Sequence, residues 1–484
     1  MSILKRNKGI IIAFGVIIIG GILLLYIKDT DRSFRLLKNG LSGESQKPLP
    51  IPALLGDQDP SPNKAEFFLT AQQSTKEFIE GKMTPTYGYN GDFLGPVIRV
   101  KRGNDVTVHV ENKLQEQTTV HWHGLEVDGE FDGGPHTAIN EGDIWSPNFK
   151  IDQPAATLWF HPHLLHETGE QVYKGLAGLF YIEDDVSEKL PLPNEYGVND
   201  IPLIIQDRKF TSDGEMNYDL GMHDVMMGLQ GTAILVNGAI NPFLEVPKGK
   251  VRLRILNGSN ARVYNFHLST QDDFWQIASD GGLLEKPVQL NNVVLGAAER
   301  AEIIVDFSEY DQGDTLFLNE ENNNLLEFRI NGEENNFDIP NQLTDIERIS
   351  PDSATNTRKF VFQGMGLMVN INGKQMDIDR IDEKLLKNTT EIWEVSNDSG
   401  MGMMGMDGGG MAHPFHAHGV QFQILDRNGQ EPPENERGWK DTFLVYPNET
   451  VRAIATFDHE GIFMYHCHIL EHEDAGMMGQ FQVN

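Results

Sequence analysis

The 484-residue sequence predicts an all-β protein: three tandem β-sandwich domains preceded by an N-terminal membrane-spanning segment. Three observations carry this. Short runs alternate Val, Leu or Ile with polar residues, the period-two pattern of half-buried strands, and clusters of Gly, Asn and Asp separate them. One such run recurs, because Val100, Gly103, Val106, Val108, Val110 and Asn112 are matched by Val246, Gly249, Val251, Leu253, Ile255 and Asn257, with a shorter echo from Glu391 to Asn397. The copies lie roughly 140 to 145 residues apart, a domain-sized period. Finally, Lys5, Arg6 and Lys8 precede an uncharged run from Gly9 to Ile27, long enough to cross a bilayer as a helix.

In chain order, residues 1–27 are expected to form a cytoplasmic N-terminus and signal-anchor helix. The basic residues before the apolar run place the rest of the chain outside the cytoplasm. Secretion after signal cleavage is the alternative, but the run is long for a signal peptide and no small-x-small site follows it. Residues 28–60, with Pro48, Pro50, Pro52 and Pro60, read as a semi-extended tether. The three sandwiches then occupy 61–188, 198–345 and 355–484. With 71 acidic against 39 basic side chains and no basic stripe, the chain is not a nucleic-acid binder. One cysteine allows no internal disulfide.

That cysteine, Cys467, lies in Tyr465-His466-Cys467-His468, with His472 five residues and Met477 ten residues beyond it. A thiolate, imidazoles and a weak axial thioether are the ligand set of a blue-copper electron-transfer site. In an extended segment Cys467 faces one way while His466 and His468 face the other, so a short backbone can join two metal centres. Three further His-x-His pairs exist: His121-Trp122-His123, His161-Pro162-His163 and His416-Ala417-His418, the last preceded by His413. Residues 159–165 parallel 464–470, with Pro162 in the place of Cys467. The first sandwich can therefore supply histidines but not a blue-copper centre of its own. The middle one has only His267, read as structural, and is expected to be a spacer.

From about residue 52 to the end, these motifs in this order resemble the three-domain multicopper oxidases, most nearly the bacterial cuprous oxidase and laccase-like branch. The resemblance implies Greek-key cupredoxin domains and four copper ions per chain. His413, Cys467, His472 and Met477 would form the type 1 site, His121 and His416 would bind the type 2 ion, and His123, His161, His163, His418, His466 and His468 would hold the type 3 pair. It also implies one-electron oxidation of a donor coupled to four-electron reduction of dioxygen to water, with Asp132 and Glu473 at the positions where relatives relay protons. Met478 reads as core.

The donor is expected from Met401, Met403, Met404, Met406, Asp407 and Met411, directly before His413. Thioethers are soft ligands that favour Cu(I), so this segment reads as a cuprous-ion docking loop in copper tolerance. It departs from the cuprous-oxidase pattern, since Gly409 stands where relatives have an acid, and residues 358–400 hold only Met365, Met368 and Met376. The cluster Met222, Met226 and Met227 reads as packing or loop. The alternatives are a laccase acting on phenols and other small aromatic donors, and an inactive copper-binding or scaffold protein. Complete ligand positions weigh against inactivity, and four His-x-His pairs exceed what a two-domain nitrite reductase needs. A monomer is expected, because one chain carries every ligand.

Overall fold

Strands are the dominant regular element of the computed structural model, which describes residues 47–398 and 410–484. Among the described residues no helix is long and apolar enough to cross a membrane. The expected anchor at Gly9–Ile27, and the expected docking residues Met401, Met403, Met404, Met406 and Asp407, lie outside them.

The sheets come in three pairs along the chain, and each pair encloses its own apolar core. Every sheet is mixed, with one parallel pairing that recurs. In one sheet of each pair, Phe67 opposes Val108, Leu203 opposes Ile255 and Phe360 opposes Val395, all in parallel register. In the other, Ile98 opposes Phe180, Leu244 opposes Phe328 and Lys384 opposes Gln482. The sequence repeat falls on equivalent strands, Asp105–Asn112, Lys250–Asn257 and Thr389–Asn397. Its terminal asparagine has a physical use. Asn112 Nδ2 donates to the carbonyls of Glu116 and Ile139, Asn257 Nδ2 to Arg262 and Leu295, and Asn397 Nδ2 to Met411 and Val445, all at 2.7–2.9 Å. One buried amide thus satisfies two carbonyls where each strand ends.

Two expectations need correcting. The tether does not extend to residue 60, because from Lys47 the chain is docked: Leu49 N donates to Phe243 O, Phe243 N to Lys47 O, and the Pro50 and Pro52 carbonyls accept from Asn237 and Tyr196. Proline removes donors from this segment but leaves its carbonyls to be satisfied by the sandwiches. The strand Lys250–Asn257 is also buried on both faces rather than one. Its polar face, Arg252 and Arg254, meets Glu302 and Asp200 at the boundary with the first sandwich, where Thr157 Oγ1 donates to Glu302 at 2.6 Å.

Candidate metal centres

The strand His121–His123 puts Trp122 into the first core, against Phe149, Phe160 and Phe180, and turns His121 and His123 out of it together. His161 is the cross-strand partner of His121, and in the third sandwich His416 is the partner of His466. Where the two sandwiches meet, all eight imidazoles of the His-x-His pairs are fully buried and converge. His163 Nε2 lies 3.1 Å from His466 Nε2, His418 Nε2 3.2 Å from His466 Nε2, and His416 Nε2 3.5 Å from His121 Nε2. His123 Nδ1 lies 3.4 Å from His161 Nε2, and His468 adjoins both rings. Each group mixes first-sandwich and third-sandwich residues.

Facing lone pairs at such distances repel unless a cation lies among them, and an ion about 2 Å from each of two nitrogens leaves them roughly 3–4 Å apart. The charge state agrees. Burial first, and neighbouring imidazoles second, hold His161, His416 and His418 well below the usual histidine range, and burial dominates in placing His163 and His468 at about 3. These are neutral imidazoles, the form that binds metal. Both ring nitrogens of His468 are buried with no hydrogen-bond partner, as expected of an imidazole one of whose nitrogens meets an ion.

Outer partners set which nitrogen faces inward. Nδ1 of His121, His161, His416 and His466 lies within hydrogen-bond reach of the carbonyl of Asp132, Pro162, Asp441 and Cys467, respectively, at 2.8–3.2 Å. His418 Nδ1 donates to Asp132 Oδ2 at 2.7 Å. A proton on Nδ1 leaves Nε2 free for a ligand role. His123 is reversed, with Nε2 against Asp441 Oδ1 and Thr442 Oγ1, both at 3.1 Å.

Asp132 and Glu473 are both deeply buried. Gly133 permits the first, since it sits at φ +80° and a Cβ there would lie 1.8 Å from Val120 O. Glu473 Oε2 is 3.1 Å from His466 Nδ1, and Oε1 is 3.6 Å from His163 Nδ1, without a well-formed hydrogen bond to either. Burial alone would raise its carboxyl, but His163 and His466 hold it well below the usual range.

On the opposite face of the same strand, Cys467 lies in the third core beside Phe415, its Sγ 3.2 Å from His413 Nδ1. His472 Nε2 donates to the Met226 carbonyl at 3.1 Å, leaving a buried Nδ1 with no partner. The short helix Leu470–Asp474 reverses the chain, so that Met477 is buried and its carbonyl accepts from Cys467 N at 3.0 Å. Burial pushes the thiol well above its usual range, so a cation is needed to keep a thiolate here.

Sequence reasoning missed two sets of residues. Asp441 touches His123, and its signal was a Lys-Asp pair inside the apolar run Trp439 to Val445. Met226, Met227 and Met365 join Met411 around a crevice against His413 and His472 with room for one water-sized guest, ≈ 10 Å³. The helix Met222–Met227 of the middle sandwich packs on the turn Gly366–Met368 of the third to form it. His267 stays apart from these groups, in contact with the Asn265 carbonyl.

Two family models described as multicopper oxidase match residues 70–187 and 340–484. The chain is 40% identical over 448 residues to the multicopper oxidase Mco of Staphylococcus aureus, covering 92% of this chain and 94% of that one. It is 34% identical over 477 residues to the cell division protein FtsP of Escherichia coli, covering 93% and 95%. Among solved structures, a laccase from Pediococcus acidilactici superposes with a TM-score of 0.87 at 44% identity, covering 91% of this chain and 94% of that one.

Proposed function

The chain belongs to the multicopper oxidase family, a copper-dependent oxidoreductase using dioxygen, and from that premise we propose that its physiological donor is Cu(I). Four Cu(I) ions, one dioxygen and four protons would give four Cu(II) ions and two waters. The observation that carries this reading is the crevice of Met226, Met227, Met365 and Met411 against His413 and His472. Its lining is thioether-rich, the donor type that selects Cu(I). Exposed Met222 and Met368 continue soft ligands to the surface.

Four copper ions per chain supply the electron acceptor at Cys467 and the oxygen-reducing centre among the eight histidines. In this reading His413, Cys467, His472 and Met477 hold type 1 copper. His121 and His416 hold type 2, and His123, His161, His163, His418, His466 and His468 hold the type 3 pair. The backbone from Cys467 to His466 and His468 is the shortest covalent path between the centres. Asp132 and Glu473 are the carboxylates placed to relay protons beside the histidines. Three basic residues before the uncharged run Gly9–Ile27 support a membrane anchor with the catalytic unit outside the cytoplasm, and a complete ligand set in one chain supports a monomer.

The test is dioxygen uptake by the copper-loaded full chain with Cu(I) or a phenol as donor. It compares the native protein with a Met226→Leu/Met365→Leu variant and with a 401–411 deletion. Removing the thioethers is expected to raise KM for Cu(I) about tenfold or more, with phenol turnover unchanged or raised. Unchanged Cu(I) kinetics with efficient phenol turnover would favour the laccase reading, which the Pediococcus laccase likeness supports. No uptake with either donor at full copper loading would leave an inactive scaffold.

A further inference from the structure

We propose that Arg300, a residue of the middle sandwich, is a positioning residue for the oxygen-reducing centre, acting on His123 and His416 through Asp441. The middle domain is then part of the active-site framework as well as a spacer. This rests on reading the eight histidines as copper ligands.

Arg300 is fully buried and all five of its N–H donors are used. Nη1 and Nη2 form a fork on Asp441 Oδ1 and Oδ2 at 2.6 and 2.5 Å. The remaining donors go to three carbonyls: Ala298 and Asp280 of the middle sandwich, and Thr157 of the first, at 3.0–3.1 Å. A guanidinium fixed at five points holds a carboxylate more rigidly than any single-point partner could. Gln421 Nε2 and Thr442 Oγ1 donate to the same carboxylate at 2.9 Å, so its rotation is blocked.

The locked residue then addresses two histidines. Asp441 Oδ1 meets His123 Nε2, and the Asp441 carbonyl meets His416 Nδ1 at 2.9 Å. A carboxylate on Nε2 fixes the tautomer that turns Nδ1 of His123 inward, opposite to the orientation of His121, His161, His416, His418 and His466. Asp441 lies close enough to His123 and His416 to be taken for a ligand itself. The Arg300 fork argues otherwise, because a cation bound to Asp441 would face a guanidinium.

A motif glycine supports the same arrangement. Gly124 follows the His121-Trp122-His123 run at φ +90°, and a Cβ there would lie 2.5 Å from Asp441 Oδ2 and 2.9 Å from Arg300 Nη2. The fourth position of that motif is thus left without a side chain where the ion pair passes. A second buried interdomain network, Glu302 with Arg252 and Arg254, joins the middle sandwich to the first through Thr157 without touching a histidine. It is an internal control for a purely adhesive role.

The experiment uses Arg300→Met, Arg300→Lys and the control Glu302→Gln in the copper-loaded full chain. The readouts are copper per chain, the type 2 electron paramagnetic resonance signal, copper retention against a chelator, and the blue absorption of the Cys467 centre. Both Arg300 variants are expected to keep the blue band, alter the type 2 signal and lose the remaining copper about 10–100-fold more readily, with Arg300→Lys the milder. Glu302→Gln should lower thermal stability and leave the type 2 signal alone. An unaltered type 2 signal with retention within about twofold of native in the Arg300 variants would overturn the proposal. So would loss of the blue band in both, which would make Arg300 a folding residue only.

Discussion

Replacing Asp132 by Asn keeps the side-chain shape and removes its charge, and the structure gives two different magnitudes for two different roles. As an orienter, Asp132 Oδ2 accepts from His418 Nδ1 at 2.7 Å. A hydrogen bond to a charged group contributes about 1.5–3 kcal/mol and a neutral one about 0.5–1.5 kcal/mol. The substitution should therefore cost about 1–1.5 kcal/mol, which weakens copper retention by about five- to tenfold. As a proton donor, Asp132 has a second oxygen, Oδ1, buried with no partner and available to carry a proton that Asn cannot supply. Losing that role should slow dioxygen reduction by about 100-fold or more. The assay is anaerobic reduction, rapid mixing with dioxygen and return of the blue absorption, with copper per chain measured on the same sample. A variant with full copper and native reoxidation would refute the relay role, and a rate falling only in proportion to copper content would leave Asp132 an orienter alone.

Glu302 should show in the acid stability of the metal-free protein. Burial would raise its carboxyl, but Arg252 and Arg254 hold it at about 2, below the ordinary 4.5. A depressed acid contributes stability that is present above the unfolded value and lost as pH falls toward the folded one, here roughly 3 kcal/mol in all. The deficit of Glu302→Gln in urea denaturation should therefore shrink between about pH 5.5 and about pH 3; a deficit independent of pH would contradict this. Met477→Leu nearly conserves a buried volume and should cost under about 1.5 kcal/mol, yet raise the potential of the blue centre, because losing a thioether donor disfavours the oxidised ion. A redox titration that finds the native potential would exclude Met477 as axial ligand. Gly133→Ala should lower both the thermal midpoint and trinuclear copper content, because its Cβ would strike Val120 O and displace Asp132 and His121. The backbone conformation alone costs about 1 kcal/mol, and a variant matching the native protein in both measurements would show that the loop relaxes freely.

The pairing of histidines on one face was legible in the sequence because it depends on local geometry. A period of two in an extended chain turns His466 and His468 one way and Cys467 the other, whatever lies around them. The threefold repeat was legible for the same reason, since strands that pack alike alternate alike, and even its terminal asparagine recurs in one structural use. Asp132 and Glu473 came from resemblance, and their burial against His418 and His466 had no sequence signature.

Tertiary structure decided what depends on contacts between distant segments. Asp441 lies 318 residues from His123, and Arg300 reaches Asp441 from a sandwich with no metal motif of its own. The methionines facing His413 and His472 come from the middle and third sandwiches, where Met226 and Met227 read as loop filler and Met365 as an isolated residue. The prolines of residues 48–52 suggested an extended tether, but Asn237 of the middle sandwich and Tyr196 of the connector before it satisfy the Pro50 and Pro52 carbonyls. Alternation states which way a side chain points and nothing about what waits there. Pairing between sandwiches is non-local, so the carboxylates that reach His123 and His418 from the facing sandwich, and the soft crevice above the cysteine centre, exist only once the domains have packed.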